Sequence, residues 1–395
     1  MRVDTSRYTD LRQSIGGGRI EFSRMITTTD SYHDHGDQDD STGVAEERPH
    51  YVKLDHDAIE ERSMNVARNL LWATFVVVSC RPMDRSRRAD APPDSAALTV
   101  DTAVASAPAA APVAPPPTSL ASRVLAVEGF LAPESVLHDT LQDVYFVSNI
   151  HGIATAKDNN GFISRVKPDG AVENLKFIEG GRSGVTLNAP KGLALQGDTL
   201  WVADIDVVRA FNAKTGAPID SVSLAASGAV FLNDVAFALL GALYITDTGI
   251  RYDDVGNVLH PGPDRVFRIG SDRAITVAIR GDSLGWPNGI ALDAAGRRFV
   301  IVSFGGKSVL GWKPNDKAPR VIARGAGGFD GVAIARGTIL VSSWADSSVT
   351  RFDSTQGTRI ISGLPGPADI GYDAKRNRVL VPLLPANRVE VWQLP

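Results

Sequence analysis

Six copies of one short pattern constrain the fold of this chain more than any other feature. Each copy has an apolar run, a tight turn and a second apolar run, as in WPNGIALDAAGRRFVIVSFGG from Trp286 to Gly306. Successive copies begin roughly 40 to 60 residues apart, close to the period of about 40 to 50 residues for a four-stranded propeller blade. We therefore predict an all-β fold, a six-bladed β-propeller, with a sandwich or a barrel as the alternative.

The apolar runs also indicate how the blades are built. The first run of each copy is apolar at nearly every position, as in GLAL, DVAF, GIAL and GVAI, which suits inner strands buried on both faces. Further strand pairs lie between the copies, and they supply the third and fourth strands. The last copy is followed by one strand only, RVEVWQL. We expect RVLAVEGF, from the start of the domain, to complete that blade and leave no open edge.

One position at the head of each copy is the basis for a candidate site. If the copies are radially equivalent, six residues form a ring around the axis: Glu134, Lys191, Asn233, Asn288, Asp330 and Ala368. Four of them offer a side-chain oxygen, and calcium takes six to eight oxygen ligands. We predict a Ca²⁺ site built from Glu134, Asn233, Asn288 and Asp330, with another divalent cation as the alternative. A plain turn role is the alternative for each Asn or Asp before glycine.

Several segments resemble one family. APES, LNDVAF with LYITDTG, WPNGIALD and FDGVAI are similar to motifs of the senescence marker protein-30, gluconolactonase and luciferin-regenerating-enzyme family, and the resemblance covers residues 123–395. It implies a six-bladed propeller that hydrolyses a lactone or related ester with a divalent metal. It also implies metal-binding roles for the same four residues, which occur in the family's order. Ser135 and Val136 stand where the family usually has glycine and proline.

Antiparallel pairing puts the end of each second strand at the same end of the blade as this ring, so we expect the residues there to rim it. They are Asn149, His151, Asp204, Asp206, Asp247, Thr248, Arg251, Ser303, Phe304, Trp344, Asp346 and Asn387.

Catalytic and substrate-binding roles follow from this placement. We predict that Asp330 assists attack of water or attacks directly, and that His151 on the rim shuttles a proton, with ordinary hydrogen bonding as the alternative for His151. The predicted substrate-binding walls are Arg251, Trp286, Phe304 and Trp344. The alternative function is a non-catalytic propeller that binds a small ligand or a protein partner on the same face. A strictosidine-synthase-like propeller is a third possibility.

A competing motif lies ahead of the fourth copy. Residues 281–285, GDSLG, match the G-x-S-x-G nucleophile elbow. That elbow needs a strand, a sharp turn and a helix, with a histidine later in the chain. All seven histidines lie at or before His260, so we predict a loop at Ser283.

The segments before the propeller predict export. Residues 64–80 have a basic start, a short apolar run and a small residue before Cys80. This is typical of a lipoprotein signal with Cys80 as the lipidated residue, and the alternatives are an uncleaved anchor or a buried strand. Residues 81–122 read as an Ala/Pro-rich linker. Residues 1–63 read as disordered, and we expect translation to begin at Met64. The protein is expected to be periplasmic or at the cell surface, held to a bacterial membrane by its lipid.

Charge and cysteine content exclude several other classes. The net charge is −4, and the repeat region contains no basic run, so nucleic acid is not expected as a partner. The single cysteine excludes an intramolecular disulfide and a cysteine-built metal site. We expect a monomer whose partner is a small lactone or ester.

Overall fold

The computed structural model describes residues 120–253 and 257–395. The segments 1–63 and 64–80, most of 81–122, and Cys80 itself lie outside the described residues. In chain order the strands are β1 (Ser122–Glu128), β2 (Pro133–Asp139), β3 (Val144–Asn149), β4 (Phe162–Val166), β5 (Val172–Glu179), β6 (Pro190–Gln196), β7 (Thr199–Asp204), β8 (Val207–Asn212), β9 (Pro218–Ser223), β10 (Leu232–Phe237), β11 (Leu243–Asp247), β12 (Arg251–Tyr252), β13 (Val258–Leu259), β14 (Arg265–Ile269), β15 (Ile275–Arg280), β16 (Pro287–Asp293), β17 (Arg298–Ser303), β18 (Ser308–Trp312), β19 (Arg320–Arg324), β20 (Phe329–Ala335), β21 (Thr338–Ser343), β22 (Ser348–Phe352), β23 (Gly357–Ser362), β24 (Gly371–Asp373), β25 (Arg378–Leu383) and β26 (Arg388–Gln393).

These strands form six four-stranded antiparallel sheets, and the predicted six-bladed propeller is confirmed. Blades one to five run β2-β3-β4-β5, β6-β7-β8-β9, β10-β11-β14-β15, β16-β17-β18-β19 and β20-β21-β22-β23. Blade six has the order β1-β26-β25-β24. The first strand of the domain therefore closes the last blade, as predicted, with Ser122 opposite Gln393 and Glu128 opposite Arg388. The small hairpin β12–β13 is inserted into blade three.

The core lies between blades. Six apolar clusters each draw on two neighbouring blades, one cluster for every interface around the ring. Phe146 in blade one and Leu200 in blade two, for example, are fully buried in the same cluster. Apolar residues on both faces of the inner strands explain the continuous apolar runs of the sequence.

The helical segments of the described residues are three single 3₁₀ turns, Ala225–Ser227, Asp282–Leu284 and Leu384–Ala386. In this part of the chain no helix is long and apolar enough to cross a membrane. The second turn contains the competing G-x-S-x-G motif. Ser283 is exposed there and the next element is strand β16, so the local structure is a loop and not a nucleophile elbow.

Candidate functional site

Each inner strand begins with the same β-bulge, and that bulge sets the position of the predicted ring. In blade one Pro133 pairs with Asn149 and the next pair is Val136 with Val147, so two residues, Glu134 and Ser135, stand against one. The inner strands of blades two to five have the same irregularity. A bridge between Pro367 and Leu383 places Ala368 likewise in blade six.

The first bulge residues are the six residues predicted from the repeat: Glu134, Lys191, Asn233, Asn288, Asp330 and Ala368. Each inner strand packs against the inner strands of the two neighbouring blades. All six residues are buried, with 0 to 6% of each exposed. Ser135 and Val136, which depart from the family pattern, do not change the register of Glu134.

The four predicted ligands share an unusual property. Each has a buried side-chain oxygen without a hydrogen-bond partner among the described residues: Glu134 Oε2, Asn233 Oδ1, Asn288 Oδ1 and Asp330 Oδ1. An unpaired buried polar group costs about 1–3 kcal/mol, and a cation bound to these oxygens would remove that cost. Two carboxylates and two amide oxygens form a donor set that suits a hard cation. Among the described residues, no three His, Cys, Asp or Glu side chains are grouped so that they could hold a metal ion. A metal site at this position therefore depends on the two asparagines.

The orientation of the Asn233 amide follows from its neighbour Thr248. The Thr248 hydroxyl donates to the carbonyl oxygen of Pro287 at 2.8 Å, and it has only one hydrogen to donate. The Asn233 atom that lies 3.1 Å from Thr248 Oγ1 must therefore be the donor Nδ2. Asn233 Oδ1 is consequently the free, unpaired atom. The sequence placed Thr248 on the rim but gave no indication of this role.

A second ring lies one residue further along each inner strand: Ser135, Gly192, Asp234, Gly289, Gly331 and Asp369. Its two carboxylates are hydrogen-bonded. Ser135 Oγ donates to Asp369 Oδ2 at 2.5 Å, and the backbone N–H of Ile290 donates to Asp234 Oδ2 at 2.7 Å. Glycine is required at position 192, because a Cβ there would lie 2.2 Å from Asp234 Oδ1.

Burial and crowding of like charges dominate the electrostatics of the axis. Burial, with the nearby charges of Asp330 and Asp369, raises the pKa of Glu134 well above its usual range, although Lys191 opposes this. Burial and Asp369 likewise raise the pKa of Asp330, and burial raises the pKa of Asp369 to about 7. Burial, followed by the charge of Asp369, raises the pKa of Asp234. Without a cation, the axis therefore favours protonated carboxyl groups.

Lys191 is the one cation among the six ring residues. It is 1% exposed. Its Nζ donates to the carbonyl oxygen of Ala189 at 3.0 Å and lies 4.2 Å from the centre of the Phe231 ring. Burial lowers the pKa of Lys191 to about 8, although the charges of Glu134 and Asp204 oppose this.

The residues predicted to rim the ring after each second strand are not all open to solvent. Asp204 and Asp247 are fully buried. Asp204 accepts hydrogen bonds from the backbone N–H groups of Asn188 and Ala189, and Asp247 accepts from Phe231 N at 2.8 Å. Both therefore fix the loop that leads into their inner strand, because that loop's N–H groups have no partner in the sheet.

Three of the four predicted wall residues lie together, and their side chains are half-buried. The Phe304 and Trp344 rings meet edge to face with centroids 6.0 Å apart, and Phe304 N donates to the carbonyl oxygen of Trp286 at 2.9 Å. The Trp344 indole N–H lies near Asp330 and counteracts the rise in its pKa, although Nε1 has no hydrogen bond of ordinary geometry. Arg251 is exposed on strand β12, where it pairs with Leu259 of β13.

Two histidines lie in the loops at this end of the propeller. His151 Nδ1 lies 3.0 Å from the carbonyl oxygen of Asn160, which occupies one ring nitrogen. His260, which the sequence interpretation did not select, stacks on Trp286 with centroids 4.7 Å apart, and its Nε2 lies 2.7 Å from Asp264 Oδ1. The other oxygen of Asp264 accepts from Trp286 N at 2.7 Å. The four-residue spacing of His260 and Asp264 just before a strand was the only sequence signal for this pair.

One open cavity of the described residues lies away from the ring of ligands. A cavity of about 550 Å³ is lined by polar residues at the hairpin turns of blades one and six, including Gln142, Asp143, Arg165 and Arg376. Those turns are at the opposite end of the inner strands from the bulges. The candidate cation site is therefore separate from this cavity, and its four ligands are 4 to 6% exposed.

Comparison with known proteins supports the fold but does not identify a family. No protein-family model matches the chain, and no curated protein matches it. Many solved structures match. A crystal structure described as a "putative gluconolactonase" is 16% identical, with a TM-score of 0.51 over 69% of this chain and 91% of that chain. A chain of a nidogen–laminin complex is 19% identical, with a TM-score of 0.46 over 57% of this chain and 78% of that chain. The gluconolactonase-like structure and this chain thus share a fold.

Proposed function

We propose that this chain is a lactonase-like propeller that hydrolyses a lactone or related ester with the help of a divalent cation, Ca²⁺ in the first instance. The observation that carries the proposal is the set of four buried, unpaired oxygens on equivalent bulges of four blades. The name of the structural neighbour and the motif resemblance support the same activity. Membership of the senescence marker protein-30 and gluconolactonase family is part of the proposal.

We assign two roles to the residues at the axis, cation binding and activation of water. Glu134, Asn233, Asn288 and Asp330 would hold the cation, which supplies polarisation of the substrate carbonyl and stabilises the developing oxyanion. Four protein ligands leave room for water and substrate in a sphere of six to eight. Asp330 would also orient the attacking water and accept its proton, with Trp344 N–H beside it to steady the carboxylate.

A second group is needed to move a proton to the leaving oxygen. His151 is the residue that the sequence predicts, and one of its ring nitrogens is held by the neutral backbone carbonyl of Asn160, which stabilises a protonated imidazole less than a carboxylate does. His260 is oriented by a buried carboxylate and stacks on Trp286, the arrangement typical of a working acid–base histidine. We therefore favour His260, with Trp286, Phe304 and Trp344 as the wall that holds the substrate.

The test uses the full chain, metal-free and then titrated with Ca²⁺ in a calorimeter, followed by assays on a panel of lactones and esters. We expect binding of one Ca²⁺ and Ca²⁺-dependent turnover, both abolished by Asn288→Ala. Asn174→Ala, an exposed Asn of strand β5, is the matched control and should change neither. Absence of Ca²⁺ binding by the wild-type chain would refute the proposed site.

A specific observation supports the second candidate function, a non-catalytic propeller that binds a small ligand or a partner on this face. The ligands are only 4 to 6% exposed and the large cavity lies elsewhere. Ca²⁺ binding by the wild-type chain without turnover on any lactone or ester would select this candidate.

Export and lipid anchoring through Cys80 complete the proposal. The support is the pattern of residues 64–80. Expression from Met64 to Pro395 in a bacterium should give a membrane-associated product that incorporates labelled fatty acid. Cys80→Ser should lose the label and leave the membrane fraction, and a wild-type product that stays unlabelled in the cytosol would contradict the anchor.

A further inference from the structure

We propose that Lys191 sets the affinity of the axis for its cation: its fixed positive charge in the ligand ring weakens binding, so that the ion stays exchangeable. This inference rests on the proposed cation site and extends it to a residue that has no ligand role.

Lys191 occupies the same bulge position in blade two that the ligands occupy in the other blades. Pro190 pairs with Asp204 and the next pair is Leu193 with Val202, as for Glu134 in the neighbouring blade. The ammonium group has two fixed contacts, the carbonyl oxygen of Ala189 at 3.0 Å and the face of the Phe231 ring at 4.2 Å. A side chain that is 1% exposed and held at two points cannot swing out to solvent when a cation enters.

The acidic neighbour of Lys191 in its own blade is already paired, so Lys191 acts mainly on the ring. Asp204 accepts from Arg209 at 2.5 Å and from the backbone of Asn188 and Ala189. Its negative charge is thus largely matched by groups other than Lys191. Glu134, in contrast, has an unpaired Oε2, and its strand β2 packs directly against β6, the strand that carries Lys191.

The charges of the ring give the direction of the effect. A bound cation requires Glu134 and Asp330 in their ionised form, so the ring around it has a net charge of −1 with Lys191 present and would have −2 without it. Charges interact strongly where water is excluded, because the effective dielectric constant there is low. Removal of the Lys191 charge should therefore strengthen cation binding, and by more for a trivalent than for a divalent ion, a charge dependence that a lysine serving only as packing would not produce.

The experiment measures cation affinity in the full chain for Lys191→Met and Lys191→Gln. Met keeps the length of the side chain, and Gln keeps a donor for the Ala189 carbonyl, so together they separate charge from packing. The probes are Ca²⁺, followed by calorimetry, and Tb³⁺, followed by its luminescence on excitation of tryptophan. Lys157→Met is the control, since Lys157 lies on the same end of the propeller in an exposed ion pair with Asp206.

We expect both Lys191 variants to bind Ca²⁺ on the order of tenfold more tightly than wild type, and Lys157→Met to bind like wild type. Coulomb energy scales with the product of the charges, so the logarithm of the increase in affinity should be about 1.5 times larger for Tb³⁺ than for Ca²⁺. The affinity for Tb³⁺ should therefore increase roughly thirtyfold. The rise in melting temperature on addition of Ca²⁺ should be larger in both variants than in wild type, because tighter binding stabilises the native state more.

Unchanged or weaker binding in Lys191→Gln overturns the inference, and the proposed function survives if the wild type binds Ca²⁺ and turns over substrate. Equal gains for Ca²⁺ and Tb³⁺ overturn the charge argument as well. If wild type binds no cation but the Lys191 variants do, the inference about Lys191 is supported and the proposed cation dependence of the wild-type chain is refuted. If neither wild type nor the variants bind a cation, both proposals are refuted.

Discussion

Asp369 offers a direct test of the electrostatics at the axis. Burial raises the pKa of its carboxyl group from 3.8 to about 7, a difference of about 3 units, and each unit corresponds to 1.36 kcal/mol. The folded chain therefore holds a proton between about pH 4 and 7 that the unfolded chain has released. Since the native state binds more protons, the stability contributed by this group falls as the pH rises through that window, by up to about 4 kcal/mol.

Asp369→Asn removes the titrating group and keeps an oxygen that can accept from Ser135. The quantity to follow is the free energy of unfolding of the metal-free variant minus that of wild type. Between pH 4 and pH 8 this difference should rise in favour of the variant by about 4 kcal/mol. The assay is urea unfolding at several pH values in the presence of a chelator, because a bound cation would stabilise the ionised carboxylates and hide the effect. Parallel stability curves for wild type and variant between pH 4 and 8 would refute the reasoning.

Asp143 serves as a control, because the stability that its carboxyl group contributes should depend on pH in the opposite direction. Hydrogen bonds from Arg376 and His138 hold its pKa well below the usual range, so the stability that it contributes is present above its unfolded-state pKa of about 4 and is lost as the pH falls through the folded-state pKa. Asp143→Asn should therefore lower stability at pH 7. The side chain is 35% exposed, and solvent screening limits the loss to about 1 kcal/mol or less.

Three further predictions concern single side chains. Thr248→Val removes the hydroxyl that fixes the Asn233 amide; we expect a loss of roughly 1–3 kcal/mol of stability in urea unfolding and weaker Ca²⁺ binding by calorimetry. His260→Gln should lower kcat on an accepted lactone by about 100-fold or more while His151→Gln changes it little, and the reverse ranking would restore His151 as the proton shuttle. Phe146→Ala empties a fully buried position between blades one and two; we expect a loss of about 3–5 kcal/mol in chemical unfolding without loss of cation affinity in the remaining folded protein.

The repeat made the fold and the ring predictable, because a propeller turns one sequence position into one radial position. Glu134 and Asp330 are far apart in the chain, yet both were placed by their distance from the start of an apolar run. The second ring was visible in the same register, since Asp234 and Asp369 each follow a ring residue directly. It was not recognised as a layer because glycine occupies three of its six positions.

The loops could not be predicted in the same way. His260 and Trp286 are brought together by Asp264, whose two oxygens bind one residue each. These loops have no repeated pattern, and their contacts depend on local backbone geometry. Asp204 and Asp247 lie at the predicted end of their sheets. Strand direction does not tell, however, whether a side chain at that end binds the adjacent backbone or faces solvent.

The pairing of β1 with β26 has a consequence for biosynthesis. These strands are the first and the last of the described chain, and they are joined edge to edge from Ser122–Gln393 to Glu128–Arg388. During translation, blades one to five can form in the order in which they emerge, but the strand made first has to wait for the strand made last. Until then both rims of an incomplete ring present unpaired backbone groups. The nascent chain is therefore most prone to aggregation in the interval before β26 leaves the ribosome.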